Sequence, residues 1–218
     1  SPACKTIQEL EQSFLTYKKE LDKILDRKGY KSLFIGVDPL KDPDDIELIN
    51  NMKYQLMDKN MEERGSLGKW MMRNTCSIQI NYDIKNRKDL EQSIYILDCL
   101  HPILSFLFSH SPFYKGEAIG NLNLRNHIWE NTDDSRCKSL INHGIIDQES
   151  VLDAYIDFVF QVPGIFKLDG EYNIQKTKLS LGEDLEIKYS RGILRKEDIK
   201  LALHQIFTNV RLKNVIEV

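Results

Sequence analysis

Polar and apolar side chains alternate along the segment Met71–Asp83. The polar ones fall at every second position: Thr75, Ser77, Gln79, Asn81 and Asp83. The apolar ones occupy the positions between: Cys76, Ile78, Ile80 and Tyr82. A period of two places the two sets on opposite faces of a β-strand. The polar face is either the solvent-exposed side of an antiparallel sheet or the floor of a cleft that binds a polar substrate.

A second segment, Leu122–Arg136, is rich in side chains that can bind anions. It carries Arg125, Trp129 and Arg136 among polar residues, directly after a glycine-containing loop. An arginine presents a planar fork that matches carboxylate and phosphate oxygens, and a tryptophan can cover a ligand or stack on a cation. The residues alone fit a ligand pocket and a surface loop with one packed tryptophan equally well.

Several familiar catalytic patterns are absent from the sequence. It has neither a glycine-rich phosphate loop nor an HExxH zinc motif, and it has no nucleophile elbow. The five histidines are scattered, at positions 101, 110, 127, 143 and 204. The two segments above are therefore the main candidates for a site.

The spacing of apolar residues predicts the helices and strands that must position these segments. A helix is predicted to begin at a capping box formed by Thr6 and Glu9. Its apolar face recurs at spacings of three and four: Ile7, Leu10, Phe14, Tyr17, Leu21 and Ile24. Four more helices are predicted: Ile46–Glu63, Arg87–Cys99, Val151–Phe160 and Arg195–Phe207. Four segments are predicted as strands: Leu33–Val37, 73–83, Thr177–Ser180 and Val210–Val218.

Composition excludes some classes of partner. Thirty basic and 33 acidic residues give a net charge of −3, so we expect no nucleic-acid partner, which usually requires a basic excess. The longest apolar stretch, Ile103–Phe108, is too short to span a bilayer, so we expect no membrane partner. The four cysteines lie far apart and form no CxxC motif. They predict reduced thiols in a cytoplasmic protein.

Several motifs together resemble the plant and proteobacterial type of glutamate–cysteine ligase, a family that includes related carboxylate–amine ligases. The two longest matches are MMRNTCSIQINYD (71–83) and SPFYKGEAIGNLNLRNHIWENTDDSR (111–136). Shorter matches are GVDP (36–39), Tyr54 after a basic residue, QVPGIF (161–166) and IFTNVRLKNVIEV (206–218). They occur in the family's order over essentially the whole chain, so the resemblance is more specific than any single motif.

The resemblance implies an α+β fold of the glutamine-synthetase-like type, with a curved, mainly antiparallel sheet and helices on its outer face. It also implies that ATP phosphorylates the γ-carboxylate of glutamate. The cysteine amine then displaces the phosphate, which is the first step of glutathione synthesis. Mg²⁺ would bridge the phosphates. The implied ligands are glutamate, cysteine, ATP and Mg²⁺, and the polar face of 73–83 becomes the floor of their cleft.

The resemblance also assigns roles to individual residues. The two candidate catalytic residues are Arg125, which would clamp a substrate carboxylate, and Arg211, which would meet phosphate. Three further side chains would line the substrate pocket with Arg125: Tyr54, Thr75 and Trp129. Nucleotide contacts are expected from three side chains: Gln79, Asn81 and Arg211. The expected metal ligands are Gln79 and Glu217.

The chain departs from the family pattern at both ends. No Glu-x-Glu pair precedes the first motif, and the family's sequence continues beyond Glu217-Val218. We therefore expect residues 1–218 to form a single domain, most of a ligase catalytic domain truncated at both ends and inactive by itself. Residues 167–196 match weakly. The alternatives are a related ligase with another amine acceptor and a non-catalytic, ligase-like binding module.

Overall fold

A computed structural model describes residues 3–120 and 122–218, which combine helices with small antiparallel sheets in an α+β fold. The chain divides into two compact units, one ending at Ile35 and one formed by Gly36–Val218. That residues 1–218 form a single domain stays a prediction. Within the described residues, none of the helices combines the length and the apolar character needed to cross a bilayer.

The first unit contains one long helix, α1 (Ile7–Arg27). Its start is as predicted, because the Thr6 hydroxyl accepts a hydrogen bond from the Glu9 amide at 3.2 Å. The Glu9 carboxylate, however, accepts from the Lys5 amide rather than closing the box on Thr6. No residue of α1 is buried, so its predicted apolar face is exposed.

The second unit holds the remaining helices. They are α2 (Met52–Arg64), α3 (Gly68–Asn74), α4 (Arg87–Leu107), α5 (Leu124–Glu130), α6 (Val151–Gln161), α7 (Leu181–Ser190) and α8 (Lys196–Leu203). Five of them begin at a cap whose side-chain oxygen accepts a backbone amide hydrogen bond: Asn51, Asn86, Asn123, Ser150 and Ser180. Short polar side chains thus set most of the helix starts.

The strands are short and antiparallel. The end of the chain forms a hairpin of β6 (Arg211–Leu212) and β7 (Ile216–Glu217), and β1 (Asn81–Tyr82) pairs with β7 on its other side. Two separate pairs are β2 (Phe113–Tyr114) with β3 (Glu117–Ala118), and β4 (Phe166–Leu168) with β5 (Ile174–Lys176). The three-stranded sheet brings the first sequence motif next to the last one.

Three predicted helix boundaries are wrong. α2 begins at Met52 instead of Ile46, because Pro43–Asp45 forms a 3₁₀ turn and Asn51 caps the helix. α4 continues through Pro102 to Leu107, since a proline removes only its own amide donor and the last turn keeps its hydrogen bonds. α8 ends at Leu203 rather than continuing to residue 207.

The strand predictions are wrong in detail. Leu33–Val37 forms no strand, and only a single bridge joins Val37 to Thr75. Val210–Val218 is a hairpin instead of one strand, because the Lys213 amide donates to the Val215 carbonyl and reverses the chain. In place of a strand at Thr177–Ser180, β5 precedes it and Ser180 caps α7.

The segment 73–83 also differs from its prediction. Residues up to Asn74 belong to α3, and only Asn81–Tyr82 are paired as a strand. The side chains of residues 76–83 are exposed on both faces, with Ile78 85% accessible, so the apolar set is not buried. A two-residue ladder beside a hairpin offers no second layer against which that face could be buried.

Two apolar clusters hold the elements that carry the candidate residues. One cluster packs α4, α6 and α7 against the end of the chain and includes Leu212 and Ile216 of the hairpin. The other packs α2 and α3 against α5 and includes Leu124 and Ile128. Alternate residues of the hairpin and one face of α5 are thereby anchored, which leaves their other side chains available for a site.

Gly68 is required by the close approach of α2 and α3. A Cβ at this position would lie 2.0 Å from the Met61 carbonyl oxygen, and the backbone cannot yield as a side chain would. We expect Gly68→Ala to lower the free energy of unfolding by about 1–3 kcal/mol, a typical cost of overpacking. Gly170→Ala is the matched control, because nothing lies within 4 Å of its Cβ position. Equal denaturant midpoints for the two variants would contradict the packing argument.

Candidate anion-binding site

Arg125 is a partly buried cation on α5. Its Nε donates to the Cys76 carbonyl at 2.9 Å, which joins α5 to the first sequence motif. Within the described residues the guanidinium has no carboxylate partner. Burial and the nearby charge of Arg211 lower the pKa of Arg125. A buried guanidinium that lacks a counter-ion is costly, so this arrangement favours the binding of an anion from outside.

Two guanidinium groups lie close to the ring of Trp129. The centre of the Arg125 guanidinium is 5.4 Å from the indole centroid, and that of Arg211 is 5.7 Å away. The Phe207 ring packs against the same indole at 6.1 Å. The indole Nε1 of Trp129 is buried and has no hydrogen-bond partner in the described chain. It is therefore an unsatisfied buried donor in a ring that Arg125 contacts.

The hairpin adds an ion triad of two cations and one carboxylate. Arg211 Nη1 donates to Glu217 Oε1 at 2.9 Å, and Lys213 Nζ donates to Glu217 Oε2 at 2.7 Å. The three side chains are mostly buried, with 14%, 21% and 13% of their surface exposed for Arg211, Lys213 and Glu217. Both oxygens of Glu217 are thus occupied by cations of its own hairpin.

The environment keeps Glu217 ionised. Burial opposes the charge, but the hydrogen bond from Lys213 and the charges of Arg211 and Lys213 outweigh it and lower the pKa of the carboxyl group. One negative charge here faces two positive charges, so the triad retains a net charge of +1.

Two further basic groups belong to this region, and the sequence did not single them out. The pKa of Lys53, at the start of α2, is lowered by burial and by the charge of Lys213. The pKa of His204 is lowered by burial and by the charges of Lys53 and Lys213, which outweigh the opposite effect of Glu217. The signal available in the sequence was the basic residue directly before Tyr54.

The structure brings some predicted site residues together. Arg125, Trp129, Arg211 and Glu217 lie in one continuous set of contacts. Asn81 is directly opposite Glu217 in the β1–β7 register. Ile80 and Val218 exchange both backbone hydrogen bonds, so Asn81 and Glu217 form the closer, non-hydrogen-bonded kind of pair.

The other predicted residues lie at the margin. The Thr75 hydroxyl donates to the Met71 carbonyl at 2.8 Å and closes the end of α3. The Tyr54 ring has Lys53 Nζ at 5.8 Å from its centroid. Gln79 is exposed and precedes Asn81 by two residues on the same side of the extended chain. A binding role for these three side chains stays a prediction.

Arg136 differs from Arg125 although both stand in the same motif. It is fully buried and its Nε donates to Asp133 at 2.7 Å. Its remaining nitrogens donate to the carbonyls of Gln205 and Pro163. With all donor groups engaged, Arg136 holds segments together and is not available to a ligand.

The residues fit an anion better than an isolated metal ion. Within the described chain, no three histidine, cysteine or acidic side chains lie close enough to hold a metal. Glu217, with the amides of Asn81 and Gln79 nearby, offers a single carboxylate. Mg²⁺ often takes one or two carboxylates and completes its shell with waters and substrate phosphates. The donor set thus fits a magnesium ion only when a phosphate is also present.

The fold and the contacts define a class of protein: an α+β protein in which two arginines lie against one tryptophan. The sequence model of glutamate–cysteine ligase family 2 matches residues 1–218, and the chain belongs to this family. The resemblance inferred from the motifs is thereby confirmed.

The relatives are plant enzymes. Glutamate–cysteine ligase A, chloroplastic, from Oryza sativa subsp. indica is 31% identical over 192 residues, which cover 87% of this chain and 39% of the relative. The chloroplastic glutamate–cysteine ligases of Medicago truncatula and Arabidopsis thaliana are each 31% identical over 197 residues, covering 89% of this chain and 38% and 37% of the relatives. The chain therefore spans less than two fifths of the relatives it matches.

The prediction of a cytoplasmic protein is wrong. The plant relatives are named as chloroplastic proteins. The prediction was based on separated cysteines and composition, and reduced thiols do not distinguish one reducing compartment from another.

Proposed function

We propose that the chain contributes an anion subsite to an ATP-dependent glutamate–cysteine ligase. In this reaction the γ-carboxylate of glutamate attacks the terminal phosphorus of ATP and ADP leaves. The cysteine amine then attacks the carbonyl carbon of the acyl phosphate, which forms the amide bond and releases inorganic phosphate. Every species along this path carries carboxylate or phosphate oxygens. A site for this reaction must exclude water and must hold its cations in fixed positions. These cations then need not rearrange during the chemical step.

The observation that carries the proposal is the proximity of Arg125, which has no carboxylate partner in the described chain, to the unsatisfied indole N–H of Trp129. A guanidinium without a carboxylate partner and an indole N–H without an acceptor lie against each other on α5. Their unmet hydrogen-bonding capacity matches the planar oxygens of a carboxylate. Membership of the ligase family supports glutamate as the source of that carboxylate.

Arg211 and Lys213 would serve the phosphate. Arg211 lies over the Trp129 ring, Lys213 shares the Glu217 carboxylate with it, and with Lys53 they make this region strongly basic. Two or more cations can stabilise the charge that spreads over the transferring phosphoryl oxygens. In this proposal Arg125 orients the nucleophilic substrate, and Arg211 neutralises the group that it attacks.

Glu217 would hold Mg²⁺ together with an amide oxygen of Gln79 or Asn81. When bound, the metal ion supplies charge neutralisation to the nucleotide phosphates. The protein's own contribution is to keep the carboxylate ionised, which the charges of Arg211 and Lys213 do. We also propose the glutamine-synthetase-like arrangement for the complete catalytic domain, since the antiparallel pairing of β1, β7 and β6 is compatible with it.

The direct test is a product assay on the protein expressed from its native gene. With ATP, Mg²⁺, glutamate and cysteine, we expect γ-glutamylcysteine, ADP and phosphate in equal amounts. Replacement of cysteine by other amines, at equal concentration, separates this enzyme from a related carboxylate–amine ligase. Product with another amine and none with cysteine would overturn the assignment, and a protein that binds neither glutamate nor ATP would overturn the ligase role altogether.

A further inference from the structure

Glu217 is already paired with the two cations that a phosphate would need. Both of its oxygens accept hydrogen bonds, from Arg211 at 2.9 Å and from Lys213 at 2.7 Å. These are short, charge-assisted contacts among side chains that are at most about a fifth exposed. In the ligand-free chain, the carboxylate of Glu217 therefore already neutralises part of the positive charge of Arg211 and Lys213.

The three side chains are placed by the hairpin itself. Arg211 and Glu217 are direct partners in the β6–β7 register, and Lys213 is at the turn that joins the strands. Leu212 and Ile216, buried on the other face, fix this register. The carboxylate cannot leave the cations by a shift of the backbone, so an exchange of partners must come from side-chain rotation.

The contrast with Arg125 is informative. Arg125 lies 5.4 Å from the centroid of the Trp129 ring and has no carboxylate partner in the described chain. Arg211 contacts the same indole but carries an internal counter-ion. The two arginines of one site thus differ in how readily they can accept a ligand.

We propose that Glu217 is a resident counter-ion that competes with phosphate for Arg211 and Lys213. This inference rests on the proposed function, because it assumes that these cations meet phosphate. An incoming phosphate must draw Arg211 or Lys213 away from the carboxylate, and this exchange weakens its binding. Removal of the negative charge frees both cations and also removes a repulsion of unit charge a few ångströms from the anion. The pairing of Glu217 with these cations therefore weakens phosphate binding to the ligand-free protein.

The test compares inorganic phosphate binding to the wild-type protein and to Glu217→Gln, in EDTA and at fixed ionic strength, by isothermal titration calorimetry. The glutamine keeps the size of the side chain and loses its charge. We expect the variant to bind phosphate about tenfold more tightly, as follows from the removal of one nearby negative charge. Glu186→Gln, at an exposed position without an ion pair in the described chain, is the control for the change in net charge and should leave the affinity unaltered.

The outcomes separate the two proposals. If both proteins bind phosphate and Glu217→Gln binds it equally or more weakly, the counter-ion inference is wrong and the anion site stands. If neither binds phosphate, both are wrong. Should Glu217→Gln fail to fold, a crystal structure of the wild-type protein in phosphate decides: Arg211 or Lys213 turned from Glu217 to the anion supports the exchange, and an intact triad beside a bound anion overturns it.

Discussion

The Arg125→Ala variant should lose about 100-fold in kcat/KM for glutamate in the ligase reaction. A hydrogen bond to a charged group contributes about 1.5–3 kcal/mol, and a single contact at the upper end of this range already corresponds to about 100-fold. Since Arg125 has no carboxylate partner within the described chain, its removal leaves no protein charge unpaired. The loss should therefore appear in steady-state kinetics at low glutamate and not as a large drop in melting temperature.

Two variants control for this effect. Arg125→Lys keeps the charge but replaces the planar fork with a single ammonium, so we expect it to recover part of the activity. Arg191→Ala removes an exposed arginine that has no ion pair in the part of the chain that the structure describes, and it should behave as the wild type. Unchanged kinetics in Arg125→Ala would remove this residue from the clamp role.

The Asp133→Asn variant should lower the free energy of unfolding by about 3–5 kcal/mol, the usual cost of breaking a buried ion pair from one side. Asp133 is 2% exposed and accepts from Arg136 Nε at 2.7 Å. Burial opposes its ionisation, but the charge of Arg136 and hydrogen bonds from Ser135 and Arg136 outweigh it and lower the pKa of Asp133. Without the carboxylate, the charge of Arg136 stays buried and uncompensated.

The adjacent residue provides a matched control. Asp134 pairs with Lys138 at 2.8 Å, but its side chain is 78% exposed. Asp134→Asn should change stability by about 0.5 kcal/mol or less, because exposed pairs contribute little. Chemical denaturation of both variants measures the difference. Similar midpoints would show that Asp133 and Arg136 are not the buried pair described here.

The Asp133→Asn substitution should also disturb the packing around Trp129. The Arg136 carbonyl accepts a hydrogen bond from the Phe207 amide at 2.8 Å, and Phe207 packs on Trp129. Arg136 also fixes the carbonyls of Gln205 and Pro163. One buried ion pair thus supports three chain segments, one of which forms part of the wall around the indole.

Sequence patterns singled out residues that the structure brings together, but not the contacts that connect them. The long motifs contained Arg125, Trp129, Arg211 and Glu217, and helix caps such as Asn86 and Ser150 follow from local chemistry. No local signal shows that Arg125 reaches the Cys76 carbonyl across 49 residues, or that Lys53 and Lys213 share one region. Such contacts depend on how helices pack, and that is not encoded in the spacing of residues along a single element.

The alternation in 73–83 misled for a related reason. Period two reports which side chains share a face, but burial of the face needs a partner layer. Only the end of this segment pairs with β7. The motif that contains both Arg125 and Arg136 likewise does not distinguish them, whereas the structure pairs Arg136 with the buried Asp133 and gives Arg125 no carboxylate partner in the described chain.

The missing partner of Arg125 has a consequence for how stable the protein is at rest. A partly buried cation without a carboxylate partner among the described residues raises the free energy of the folded state, and a bound anion would relieve that cost only in the folded chain. Function and stability are in this sense opposed at one residue: the feature that prepares the site for its ligand makes the empty protein easier to unfold. Heat and denaturant measurements on ligand-free material therefore sample the fold at its weakest.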